Sequence, residues 1–77
     1  MRPADENLDL TGVPCPQNAA RTLLRLSGMD TGEVLKITLD DGEPMEMVPQ
    51  SVEEEDHTIL QRTQLDDGRW VLWIEAD

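Results

Sequence analysis

Hydrophobic and polar residues first alternate along the chain, then recur every three to four positions, then alternate again, and these switches mark its elements. Leu8 and Leu10 alternate with Asp9 and Thr11, which predicts a short strand broken by Gly12. From Pro16 onward, Ala19, Ala20, Leu23, Leu24 and Leu26 recur at helical spacing, Arg21 and Arg25 lie off the stripe, and Gly28 supplies a stop. In "GEVLKITLDDG", Leu35, Ile37 and Leu39 share one face of a second strand. The next segment, "EPMEMVPQSVEEED", carries a helical stripe of Met45, Val48 and Val52, but Pro49 lacks the N–H that a continuous helix needs there. A short helical turn that restarts with Pro49 in its first turn satisfies both signals. Glu53, Glu54, Glu55 and Asp56 crowd its C-terminal end, where the helix dipole disfavours negative charge, so that end is expected to fray. Finally, "HTILQRTQL" and "RWVLWIEA" alternate on either side of "DDG" and predict a hairpin.

The resulting order, β-α-β-α-β-β, predicts an α+β two-layer α/β sandwich: a four-stranded mixed sheet with two helices on one face. Residues 1–6 read as a flexible N-terminal tail and residues 7–77 as a single domain. A chain of 77 residues hides only about 60% of its unfolded surface, which leaves no interior for a second core or a deep substrate cavity. Trp70 and Trp73 fall on opposite faces of the last strand, and packing is the better reading for both than a recognition role.

Composition narrows the function. Hydrophobic residues make up 38% of the chain with no Phe or Tyr, enough for a folded core of Leu, Val, Ile, Met, Ala and Trp. The net charge of -11 repels phosphate-rich polymers and anionic membranes, so no direct tight nucleic-acid binding and no membrane binding are expected. A basic protein partner fits better. The beginning of the sequence, "MRPADEN", has no apolar signal segment and no run approaches membrane-spanning length, so the expected location is cytoplasmic and the expected state a monomer. One Cys and one His do not make a metal site, and no metal or cofactor is expected.

Cys15, the single cysteine, stands between Pro14 and Pro16 at the strand-to-helix corner. An unpaired Cys is often just a small buried apolar side chain. Position favours a second reading. If Pro16 opens the helix, Cys15 is its N-cap, and the helix dipole and first-turn N–H groups lower the thiol pKa. A Cys–His pair with His57 finds no third orienting group, and His57 reads as an ordinary strand-entry residue.

These residues also carry a likeness. "LDLTGVPCPQN" resembles the Leu-Asp-x-x-Gly-x-x-Cys-Pro-x-Pro signature of the TusA/SirA-like sulfur-carrier (sulfurtransferase) family. "GEVLKITLDD", "MVPQSV" and "HTIL" resemble the family's second strand, second helix and third-strand opening, in order and at similar spacing. The resemblance implies the same β-α-β-α-β-β fold and a sulfur-relay carrier. By it, Cys15 accepts sulfane sulfur as a persulfide from a donor of the cysteine desulfurase or rhodanese type and passes it to an acceptor protein. The implied activity is that of a sulfurtransferase. Asp9 then acts as a turn or cap acceptor, Gly12 as a chain reversal, and Pro16 and Gln17 as the helix opening. Asn18 replaces the second motif proline, and its backbone N–H is expected to point at Cys15. Arg21 and Arg25, on the helix beside the thiol, are candidate partner contacts. A non-catalytic interaction or regulatory domain and a thiol redox sensor are the alternatives. The acidic residues act as a solvated surface or steer the carrier to basic partners.

Overall fold

The computed structural model describes residues 4–77. The elements follow in the order β1 (Glu6–Asp9), α1 (Gln17–Ser27), β2 (Val34–Leu39), α2 (Glu43–Glu54), β3 (Thr58–Gln64) and β4 (Trp70–Glu75). They make an α+β two-layer fold with a four-stranded mixed sheet in the spatial order β1-β2-β4-β3. β1 and β2 run parallel, with Leu8 opposite Ile37, while β2–β4 and β3–β4 are antiparallel. Alternation decides what each strand buries. Leu35, Ile37 and Leu39 of β2 and Leu72 and Ile74 of β4 join Leu26 of α1 and Val48 and Val52 of α2 in one core, all at most 1% exposed.

Four details differ from the sequence reading. Glu6, assigned to the tail, begins β1, and Asp5 already bonds Val34 through its N–H (2.8 Å to the carbonyl) and its carboxylate (2.8 Å from the N–H). Residues 1–3 of that tail lie outside the described residues. The buried face of α1 is Asn18, Ala19, Thr22 and Leu26, whereas Ala20 is exposed and Leu24 is 74% exposed. The stripe therefore includes two polar residues that a hydrophobic count passes over. Thr22 is accommodated by donating its hydroxyl to the Asn18 carbonyl one turn back (2.9 Å).

The third difference is α2, which runs through Pro49 without a restart. Pro49 is buried between Val48 and Val52 on the core side. Burial of this face offsets the one backbone bond that proline removes. The acidic C-terminal end also stays helical to Glu54, with Glu53 3.9 Å from Arg62 of β3. The fourth is a bulge between Ile59 and Gln61, which breaks the simple alternation expected of β3 and leaves Leu60 42% exposed. The two tryptophans do lie on opposite faces. Trp70 packs against the core, and Trp73 lies on the helix-free face with the Lys36 ammonium 5.6 Å from its ring centre.

Asp56, in the turn after α2, has a φ of 68°, the left-handed region that favours glycine. Asp56→Gly should therefore raise stability by about 1 kcal/mol, read as a higher urea midpoint with an unchanged slope. A lower midpoint would show that the Asp side chain holds the turn.

Candidate functional site at the C-terminal edge of the parallel strands

α1 follows β1 and α2 follows β2, so the parallel pairing sets both helix N-termini at one edge of the sheet. Such an edge, beyond the carboxyl ends of parallel strands, is where open α/β sheets present their sites. The β3–β4 turn reaches the same edge, because Trp70 of β4 pairs with Leu39 at the end of β2.

Side chains stitch these loops together. Asp9 Oδ1 accepts the Thr11 N–H (2.9 Å), which turns the chain just after β1. Gly12, at φ 77°, donates its N–H to Asp40 Oδ2 (2.7 Å), fixing the cysteine loop to the end of β2. From the third loop, Arg69 Nη1 donates to Thr11 Oγ1 (3.2 Å) and Trp70 Nε1 to Asp41 Oδ1 (2.9 Å). The Asp9 carboxyl is held below its usual range, first by its hydrogen bonds with Thr11 and then by the Arg69 charge. Its contribution to the corner is therefore present above the ordinary carboxylate pKa and is lost as acid protonates it.

Cys15 lies in this corner, partly buried, with its sulfur unpaired in any disulfide. It is not the helix N-cap. Pro16 occupies that position without a side-chain cap, Gln17 is the first helical residue and is exposed, and the Cys15–Pro16 peptide is cis. The expected thiolate-lowering arrangement is also absent. The Asn18 N–H donates to the Pro14 carbonyl (3.1 Å), not to Cys15. The thiol pKa is instead pushed up, first by burial, then by the charge of Glu43 and by hydrogen bonding to that carboxylate. Glu43 is the first residue of α2, 28 positions from the thiol in sequence, and arrives beside it through the parallel crossover. Sequence reasoning left Glu43 and Asp40 as undifferentiated surface acids. The signal that could have found them is topological: the residues just after β2 must share an edge with those just after β1.

Asn18 is wholly buried, with Oδ1 accepting the Ala19 N–H (2.7 Å) and Nδ2 lacking a partner among the described residues. Asn18→Pro removes that orphaned donor but also the Asn18–Pro14 bond and the bond from the Ala19 N–H, effects of about 1 kcal/mol each that leave a net loss of stability of about 1 kcal/mol. The thiol titration, followed by alkylation rate against pH, should stay where it is in the wild type. A rise in the Cys15 pKa would restore the helix-terminus account.

His57 is placed at the opposite edge, before β3, where its Nδ1 accepts the Asp77 N–H (3.0 Å). The full length of β4 separates that edge from Cys15, so the two do not form a catalytic pair. Arg21 and Arg25 are exposed on α1, and Arg25 pairs with Glu6 of β1 (3.0 Å). Among the described residues, no group of three or more Cys, His, Asp or Glu side chains is arranged to hold a metal ion, and no helix is long and apolar enough to cross a membrane.

The chain as a whole is similar to known proteins. The chain matches the family described as sulfurtransferase TusA over residues 6–76. It is 35% identical over 72 residues to a protein of Archaeoglobus fulgidus named as a candidate sulfur carrier, a match spanning 94% of this chain and 82% of that one. A protein of the same description from Thermotoga maritima is 27% identical over 71 residues, spanning 92% and 90% of the two chains. The Escherichia coli K12 protein YedF, also described as a candidate sulfur carrier, is 30% identical over 56 residues, 73% of each chain. The chain belongs to the TusA family of sulfur carriers.

Proposed function

We propose that this protein is a sulfur-relay carrier that accepts sulfane sulfur as a persulfide on Cys15 and passes it to an acceptor protein. The observation that carries this reading is Cys15 itself: a partly exposed, unpaired thiol at the family's Cys-Pro position, in a loop pinned by Asp9 and Asp40. The Cys15 sulfur attacks the outer sulfur of a donor persulfide, a new S–S bond forms, and the donor's S–S bond breaks. The donor leaves as a thiol, having taken up the proton that Cys15 gave up, so the exchange is balanced without an outside oxidant or reductant. Delivery is the same displacement in reverse, with an acceptor thiolate attacking the carried sulfur.

The raised thiol pKa does not separate this reading from a redox sensor, because both react through the thiolate. The protonated thiol is the resting form, and sulfur uptake therefore rises with pH until the thiol has ionised. The net charge of -11 suits encounter with basic donors and acceptors.

The test is incubation with a cysteine desulfurase and cysteine, followed by intact mass measurement without reductant. One added sulfur atom is expected, removed again by dithiothreitol. No gain in mass, under conditions that load another TusA family member, would leave the non-catalytic interaction domain as the better reading.

A further inference from the structure

A second feature of α1 lies away from the cysteine corner. Between β1 and α1 runs a groove of about 390 Å³ lined by Glu6, Leu8, Arg21, Leu24, Arg25 and Gly28. β1 is an edge strand with β2 as its one neighbour, so nothing in the sheet covers this side. Leu24 stands 74% exposed at the groove although the other leucines of α1 turn inward, wholly for Leu26 and partly for Leu23. The groove also reverses the sign of the surrounding surface. Two of the chain's six basic residues line it, against one acid, and Arg25 already pairs with that acid, Glu6 (3.0 Å). Arg21 makes no hydrogen bond or ion pair among the described residues, and so presents an uncommitted guanidinium beside the apolar Leu8 and Leu24.

We infer that this groove docks an extended segment of a relay partner that carries an apolar side chain next to a carboxylate, with the apolar group against Leu8 and Leu24 and the carboxylate on Arg21. Charge complementarity selects this occupant. A chain of net charge -11 repels acidic segments almost everywhere, so an acidic segment finds its favourable seat here and is fixed in orientation by it. Arg21 is one helical turn, about 6 Å, beyond the first residue of α1, so a partner seated in the groove has the cysteine corner within reach. An arginine can grip such a carboxylate through two parallel N–H bonds, which a solvated lysine does not match. That the partner belongs to a sulfur relay rests on the carrier reading. The docking itself does not, because it requires no sulfur.

The experiment is an NMR titration of the full-length ¹⁵N-labelled protein with a hexapeptide of two leucines flanked on each side by two aspartates. The amides of Leu8, Arg21, Leu24, Arg25 and Gly28 are expected to move together. Arg21→Glu should weaken binding by about tenfold or more, since a charge-assisted contact of ~1.4 kcal/mol corresponds to that factor. Leu24→Ser should weaken it as well, while Arg62→Glu, on the far edge strand, should leave it unchanged. Dispersed spectra of the variants establish that each remains folded. The same peptide with lysines in place of aspartates should leave the groove amides still, and inorganic phosphate should not move Leu8 or Leu24. The inference is overturned if the groove amides do not respond, if the lysine peptide or phosphate moves them equally, or if Arg21→Glu binds as the wild type does. It is also overturned if they shift with protein concentration alone, which would assign the groove to a second copy of this chain. Sulfur loading measured on the same samples separates failure of the groove from failure of the carrier reading.

Discussion

Cys15→Ser is expected to take up no sulfur from a donor that loads the wild type, and to unfold at nearly the same denaturant concentration. The loss is complete because Cys15 is the single cysteine in the sequence, so no second thiol can receive the sulfur. A serine hydroxyl does not replace it, being far less acidic and much less nucleophilic toward sulfur. The fold is expected to survive because the side chain is only partly buried and lies outside the core formed by Leu10, Ile37, Leu72 and their neighbours. A surface-level substitution of this kind changes stability by about 0.5 kcal/mol or less. Intact mass after exposure to the desulfurase, together with a urea melt, reads both halves. Sulfur found on the serine variant would place the acceptor atom elsewhere and remove Cys15 from the mechanism.

Glu43→Gln should lower the Cys15 pKa and speed its alkylation at neutral pH. Burial and the Glu43 carboxylate together hold the thiol protonated. Replacing the carboxylate with a neutral amide removes the repulsion between two negative groups once the thiol ionises. Below the thiol pKa, the thiolate fraction changes tenfold per pH unit, so alkylation rate is a sensitive readout. The measurement is the pH dependence of iodoacetamide reaction for the wild type, Glu43→Gln and His57→Ala. The first variant should shift the midpoint down, and the second should leave it in place because His57 lies at the other edge of the sheet. Added salt should narrow the difference between Glu43→Gln and the wild type, since it screens the charge on Glu43. An unchanged midpoint in Glu43→Gln would assign the elevated pKa to burial alone. Glu43 also begins α2, where a carboxylate favours the helix dipole, so the variant is expected to lose a few tenths of a kcal/mol of stability.

Much of the architecture is written in short-range periodicity. The alternation of Leu35, Ile37 and Leu39 and the helical spacing of Met45, Val48 and Val52 each report a buried face, because period 2 and period 3.6 cannot be exchanged without exposing that face. The errors arose where a local rule met a tertiary one. Pro49 argues for a helix break when the backbone bond alone is counted, yet it is buried in a helix that continues through it, beside Val48 and Val52, which join the core. Leu24 argues for burial by its hydropathy, yet on α1 the inward positions include Asn18 and Thr22, which share a face with Ala19 and Leu26.

The candidate site divides along the same line. The sequence by itself offered one thiol, since "VPCPQN" contains the single cysteine, and its likeness to the family's Cys-Pro motif pointed to it. The family likeness also pointed to Gly12 as a chain reversal and Asp9 as a turn acceptor, and Asp9 does accept the Thr11 N–H two residues on, whereas the Gly12 bond to Asp40 spans 28 residues and belongs to the fold. The direction in which that thiol's pKa moves was decided by tertiary structure. One element boundary, Pro16 rather than Cys15 at the helix cap, removed the expected stabilisation of the thiolate. The parallel β1–β2 pairing then brought Glu43 to the sulfur from 28 residues away. Through-space electrostatics depends on distance in the fold and not on separation along the chain, so the sequence could single out the candidate thiol while the arrangement of the strands set its electrostatic surroundings.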